Sequence, residues 1–314
     1  MALLNFKSPA RAPTRPADLA VEALLEGYSI EVMPRTAARV GDFHALLPHG
    51  TRVYIAHIDG TPIEDMVATA RRLSRDGFAV MPHFPARLIP DAATLENWIA
   101  MYQGEAGVAE ALVLAGGLSK PKGAFDNAMQ LLETGLFDKA GFRRLHVAGH
   151  PEGNRDIDPD GGTRNVTAAL NWKQAYADRT DARMAIVTQF AFEAAPIIAW
   201  ADRLRAGGID MPIHVGVAGP AKLQTLIRYA IACGVGPSLA VLQRRARDVS
   251  KLLVPYTPAE VVADLAAHKA AHPDSLIAKV HFFPLGGVDA TSTWAIEKGG
   301  AAARPASAAS EPQR

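Results

Sequence analysis

The chain has 314 residues, 49% of them hydrophobic, with a net charge of +1 and a mean hydropathy of +0.04. That is an ordinary globular composition, rich enough in apolar residues for a large core. It excludes a basic nucleic-acid footprint, a disulfide or thiolate-metal framework, because Cys233 is the single cysteine, and a helical membrane span, because no apolar run reaches about 18 residues. The first residues carry Lys7, Arg11 and Arg15 among prolines, with no apolar stretch behind them. No signal peptide is read there, and a reducing cytoplasm is the expected compartment.

In chain order, residues 1–27 read as an N-terminal extension with an amphipathic turn or two at Leu19–Leu25. A short apolar strand follows at Ser29, ended by Pro34. From there strand and helix signals alternate. Strands are expected at Arg52–His57, Phe78–Phe84, Glu110–Gly117, Arg143–His150, Met184–Phe190, Pro212–Gly219 and Lys279–Phe283. Helices are expected from Thr61-Pro62-Ile63-Glu64, a capping-box pattern, through Arg75; from Asp91 to Tyr102; and over Ala124–Thr134, Thr163–Tyr176, Ala195–Ala206 and Ala221–Cys233. Two extra helices fall between residues 236 and 270, the second opening at Thr257-Pro258-Ala259-Glu260. They either cover the barrel or form a contact in a homo-oligomer. The short basic cluster Arg244, Arg245 and Arg247 reads as a solvated helix face. The Ala/Ser/Pro-rich residues 299–314 read as a disordered tail.

The strands are continuous apolar runs, the pattern of parallel strands covered on both faces. Eight strand–helix units within residues 28–298 predict an α/β fold, a (β/α)8 TIM barrel. No Gly-rich dinucleotide or P-loop fingerprint occurs, which disfavours a doubly wound sheet.

Barrel chemistry gathers at the carboxyl ends of the strands. Those ends read Glu31, His57 with Asp59, His83, Gly116 with Gly117, His150, Gln189, His214 and His281. Together they predict a polar site above an apolar barrel. Glu31 lies inside an apolar run. If it points into a low-dielectric interior its pKa rises, which makes a general acid near neutral pH; a core salt bridge or a solvent-facing strand end are the other readings. No H-x-H or H-E-x-x-H pair suggests a metal, and none is expected. Gly116-Gly117 and the Gly216–Gly219 run allow a ligand close to the backbone, and the helix after Gly219 can offer its N-terminus to a phosphate. Phe190, Phe192, Phe282 and Phe283 offer stacking surface or core packing.

These residues resemble methylenetetrahydrofolate reductase. The stretch Ile30-Glu31-Val32-Met33-Pro34-Arg35-Thr36 is similar to that family's Phe-Glu-x-x-Pro-Pro-Arg start, with one proline missing. Pro82-His83, His150-Pro151-Glu152, Thr188-Gln189-Phe190 and His281-Phe282-Phe283 follow in the family's order and spacing, over about residues 28–295. The resemblance implies reduction of 5,10-methylenetetrahydrofolate to 5-methyltetrahydrofolate by NAD(P)H, with FAD as hydride carrier. It implies Glu31 as the general acid, and Gln189, Phe192 and His281 on the folate. It places His83, Ala115, Gly116, Gly117, His150, Glu152, Asn171 and Lys173 on the cofactor side. The chain departs from the family where Arg-Gly-Asp is replaced by Ala115-Gly116-Gly117. That loss of charge weakens the expected FAD site and raises direct hydride transfer from NADH. It also raises a tetrahydrofolate-dependent methyltransferase or demethylase, or a non-catalytic folate-binding subunit, as alternatives.

Overall fold

The computed structural model describes residues 15–233, 240–243 and 255–300. Expectations for residues 1–14, for Arg244, Arg245 and Arg247, for most of the first extra helix and for residues 301–314 of the tail lie outside them. Gly299 and Gly300 belong to a last helical turn, Ile296–Gly300, rather than to the tail.

The strands are β1 (Ser29–Val32), β2 (Arg52–Ile55), β3 (Ala79–Pro85), β4 (Glu110–Leu114), β5 (Arg144–Gly149), β6 (Arg183–Thr188), β7 (Ile213–Ala218) and β8 (Ile277–Phe283). They close into one parallel barrel in sequence order, with β8 returning to β1 through Ser29 opposite His281. The helices are α1 (Pro16–Leu25), α2 (Pro34–Ala37), α3 (Ile63–Arg75), α4 (Ala92–Ala106), α5 (Ala128–Glu133), α6 (Leu136–Lys139), α7 (Arg164–Ala177), α8 (Ala195–Ala206), α9 (Leu223–Ala232), α10 (Ala259–Ala271) and α11 (Val288–Ala295). The fold is therefore the α/β barrel that the alternation predicts. None of the described helices is long and apolar enough to cross a membrane.

Alternate strand residues divide the core in two. Ile30, Val53, Ile55, Val80, Phe84, Val113, Val147, Ile186, Val215 and Phe282 are buried in one cluster with Met66, Leu95, Leu131, Ile197 and Leu265 of the surrounding helices. This outer shell supplies most of the buried apolar area and hence most of the driving force. The positions between them face inward, and they are not apolar throughout. Met81, Leu112 and Val187 cluster there with Tyr54, but Ser29, His146, His214 and His281 are buried as well. The expected apolar barrel beneath the site is thus corrected to a largely polar one.

Several element ends differ from expectation for local reasons. Neither Thr61 nor Thr257 caps its helix: the N-caps are Pro62 and Pro258, with no side-chain cap bond, so each threonine sits one residue too early to reach. Asp91 does cap α4, its Oδ1 accepting from the Thr94 N–H at 2.8 Å. Helix α5 starts after Asn127, not at Ala124, because Asn127 and Gln130 form a reciprocal capping box. Strand β4 stops at Leu114 because Gly116 turns the chain at φ +94°.

Candidate functional site

The carboxyl end of β1 presents Glu31, whose side chain keeps 19% of its exposure. Two histidines from other strands converge on one of its oxygens. His83 Nε2 on β3 lies 3.3 Å from Glu31 Oε2, and His281 Nε2 on β8 lies 3.8 Å from the same atom. Ser29 holds His281 from behind, Oγ to Nδ1, at 2.9 Å. If the hydroxyl donates there, the neutral imidazole turns its Nε2–H toward the carboxylate.

Burial pushes the Glu31 carboxyl upward, but the His281 and His83 rings more than offset it and hold the pKa down at about 2. This corrects the expected raised value: the sequence shows the apolar run around Glu31, but not the imidazoles folded against it. His281 is itself lowered, first by burial and against the pull of Glu31. We therefore describe the resting group as a carboxylate facing a neutral His281.

The other strand-end residues divide into those at this mouth and those elsewhere. Gln189 follows β6, half-buried, and its Oε1 accepts from the Phe190 N–H at 3.1 Å; its amide NH2 remains to serve as a donor. Phe283, half-buried, has its ring centroid 4.9 Å from that of His281. Phe192 is buried between Phe190 and Tyr256, with centroids 5.8 and 5.3 Å away, so it packs in the wall of the mouth and does not present a stacking face. His57 is buried beyond β2, bonded to the Thr61 carbonyl at 3.0 Å and set against Trp98. Asp59 pairs with Lys122. His214 is the second residue of β7, deep in the barrel and not at its end.

Of the expected cofactor-side residues, His83 stands beside Glu31, and the others lie after β4, after β5 and on α7. Lys173 on α7 is buried, its Nζ bonded to the Ala148 carbonyl at 2.8 Å, and burial lowers its pKa to about 8. Asn171 is exposed, about two turns down α7 from its start. His150 is half-buried after β5, lowered to about 4 by burial and by Lys173. Glu152 is half-buried in the turn that follows. Ala115 accepts the Arg87 N–H at 2.9 Å. Gly117 alone is open, with nothing within 4 Å of where a Cβ would lie, whereas a Cβ on Gly116 would come within 2.9 Å of Pro85. Among these residues Lys173 alone carries an ammonium, and it is bonded to the Ala148 carbonyl. The Gly216 and Gly219 expectation is likewise corrected: the Cβ space of Gly216 is taken by the Thr188 and Gln189 backbone and that of Gly219 by Thr291 of α11, so the first serves close strand packing and the second the approach of a helix.

Sequence reasoning missed four residues. Arg87, buried after β3, bonds Asp126 at 2.9 Å, Asp156 at 2.7 Å and the Leu118 carbonyl at 2.7 Å, tying together the loops after β4 and β5. Ser29, Tyr54 and His146 fill the barrel beneath Glu31. A two-residue alternation within β1, β2 and β5 was the available signal. At the opposite end, Glu110 joins Arg52 at 2.6 Å and Arg144 at 3.4 Å, and a cavity of about 600 Å³ opens beside Glu110, Arg144 and Arg183. In a barrel of this kind the amino-terminal end carries stability, which makes the mouth the candidate site. Among the described residues no group of three or more His, Cys, Asp or Glu side chains is placed to hold a metal ion. No protein-family model matches this chain.

Proposed function

We propose that this chain reduces 5,10-methylenetetrahydrofolate to 5-methyltetrahydrofolate with hydride from NAD(P)H. The observation that carries the reading is the convergence of Glu31, His83 and His281 at the barrel mouth, from strands whose motifs follow the reductase order. A pterin lying over the mouth removes the remaining solvent from Glu31, which favours its neutral form. The carboxyl then gives its proton to the ring nitrogen as the carbon–nitrogen bond of the five-membered ring breaks. The resulting iminium carbon accepts hydride. Gln189 supplies polar contacts to the pterin, and Phe283 an aromatic edge. Because the Ala115-Gly116-Gly117 stretch carries no charge and the Lys173 ammonium is bonded to the Ala148 carbonyl, hydride passes directly between bound nicotinamide and folate at the open Gly117 side.

Two outcomes of one experiment decide between this and methyl transfer, which the uncharged Ala115-Gly116-Gly117 stretch also favours. Protein incubated with methylenetetrahydrofolate and NADH is expected to form 5-methyltetrahydrofolate, detected by mass spectrometry with deuterium carried over from deuterated NADH. Absence of labelled product would overturn the reductase reading.

A further inference from the structure

The strand starts carry charge where the barrel closes. Arg52 begins β2 opposite Ser29 of β1, and His281 of β8 stands opposite Ser29 from the other side. Lys279 lies two residues before His281 and so shares its face of β8, one layer nearer the amino-terminal end. Glu110, at the start of β4, is shared by two guanidiniums. Its Oε2 lies 2.6 Å from Arg52 Nε, and its Oε1 lies 3.2 Å from Arg52 Nη2 and 3.4 Å from Arg144 Nε. Lys279 Nζ donates to the Glu26 carbonyl at 2.9 Å. Burial lowers the Lys279 pKa, the exposed Glu26 opposes that, and Arg52 and Arg144 lower it further. Like charges this close repel, and an anion between them relieves the repulsion.

Two cavities open at this end, and their linings differ in charge. The cavity of about 600 Å³ is lined by Arg143, Arg144 and Arg183 but also by Glu110, Asp138 and Asp181, so its charges balance. The second, of about 200 Å³, is lined by Arg52 and Lys279 with Tyr28, Gly27 and Gly50, and by no Asp or Glu among the described residues. Gly27 helps to keep it open, because a Cβ there would come within 3.0 Å of Lys279 Nζ. Donors remain in its wall. Glu110 takes Nε and Nη2 of Arg52 and leaves Nη1. The Lys279 ammonium has further N–H groups beyond the one on Glu26, and the Tyr28 hydroxyl is buried with no hydrogen-bond partner.

We propose that this smaller cavity binds a small divalent oxyanion of the phosphate or sulfate kind, held between the Arg52 guanidinium and the Lys279 ammonium. The guanidinium offers a planar fork to such an ion and the ammonium a point charge. At about 200 Å³ the space is smaller than the pockets that enclose larger ligands, so the free ion is assigned and not a nucleotide. The bound ion joins the start of β8 to the start of β2 across β1, and its occupancy stabilises the closed barrel. The site lies at the opposite end from Glu31 and does not depend on the reductase reading.

Lys279→Gln removes the cation and keeps a polar side chain, and Lys279→Arg keeps the charge. Lys139→Gln removes an exposed lysine paired with Glu96 on the outside of the barrel. Each protein, exchanged into chloride, is titrated calorimetrically with sodium phosphate at constant ionic strength, and its Tm is compared in the two salts. The parent, Lys279→Arg and Lys139→Gln are expected to bind a single phosphate and to gain about 2 °C or more in Tm. Lys279→Gln should weaken binding by about tenfold or more. Sulfate should compete with phosphate, and glycerol phosphate, a monoester, should bind no more tightly than the free ion. A parent that binds no phosphate overturns the proposal without recourse to any variant, so the test stands even if Lys279→Gln does not fold. Equal gains in the parent and in Lys279→Gln would make the effect a general response to salt and overturn it as well. Tighter binding of glycerol phosphate would overturn the assignment to a free ion.

Discussion

His83 Nε2 lies 3.3 Å from Glu31 Oε2, although the two residues are on different strands far apart in the chain. With His281 on the other side, this contact reverses the effect of burial on the carboxyl, which is held at about 2. Glu31 is therefore stored as a carboxylate, and in the proposed reaction it becomes an acid only when substrate changes its surroundings. Glu31→Gln keeps the shape but replaces one carboxylate oxygen with an amide NH2 that cannot serve as an acid. It should lower folate-dependent NADH oxidation by roughly 10²-fold or more, with folate affinity, measured by calorimetry, little changed. Retained turnover would remove Glu31 from the chemistry.

The buried histidines make stability depend on acid at an unusually high pH. His146, His150, His214 and His281 are all lowered from 6.5, chiefly by burial. A base whose folded pKa lies below its unfolded value contributes stability that is full above the unfolded pKa and lost as pH falls toward the folded one. The unfolded chain thus takes up protons below about 6.5 that the folded chain does not, at roughly 1.4 kcal/mol per pH unit for each. Urea unfolding at pH 7, 6 and 5 should show a loss of several kcal/mol between pH 6.5 and 5. A flat profile over that range would contradict the burial of these rings.

Lys173 works in the same direction, higher on the pH scale. Its pKa falls from 10.5 to about 8 by burial, so the folded state carries a penalty that is full below pH 8 and relieved as pH rises toward 10.5. Lys173→Met should raise stability at pH 7 by about 1–3 kcal/mol, after the loss of its bond to Ala148 is counted. The gain should shrink at pH 10. Calorimetric Tm values at the two pH values test this, and a destabilised variant at pH 7 would show that Lys173 has a charged partner worth more than its burial costs.

Adjacent glycines after β4 should respond differently. Gly116 has φ +94° and its Cβ position lies 2.9 Å from Pro85. Gly116→Ala should cost about 1–3 kcal/mol. Gly117→Ala should leave stability within about 0.5 kcal/mol yet raise the KM for a ligand that approaches this face. Equal Tm losses in both variants would mean that Gly117, too, serves only the turn.

Arg87 should act through loop order. Replacing it with methionine leaves Asp126 and Asp156 without their shared cation and should cost about 2 kcal/mol. Proteolysis should then cut first in residues 118–126 and 153–160, which its guanidinium now ties to β3. Unchanged cleavage would show that the loops hold without the clamp.

Much of the fold was legible because parallel strands covered on both faces leave continuous apolar runs in the sequence, and all eight strands lie within a few residues of where those runs fall. Glu31, His83 and His281 were legible as strand ends. Their mutual contact was not, because it depends on barrel closure, which brings β8 beside β1. The polar interior was hidden for a similar reason: Tyr54 and His146 sit inside apolar runs, and their inward direction follows only from register. His214 was misplaced because a histidine near a strand's start and one near its end look alike until pairing with β6 and β8 is known. Lys173 and Asn171 were assigned by motif position alone, and the turn of α7 sends one inward and the other to solvent.

Direct hydride transfer is tested by NADH oxidation by the purified protein with methylenetetrahydrofolate present and no flavin added, repeated with NADPH. Oxidation that depends on the folate, in a colourless preparation and unchanged by added FAD, is expected. No oxidation with either nucleotide, or oxidation that appears only when FAD is supplied, would contradict direct hydride transfer at this site.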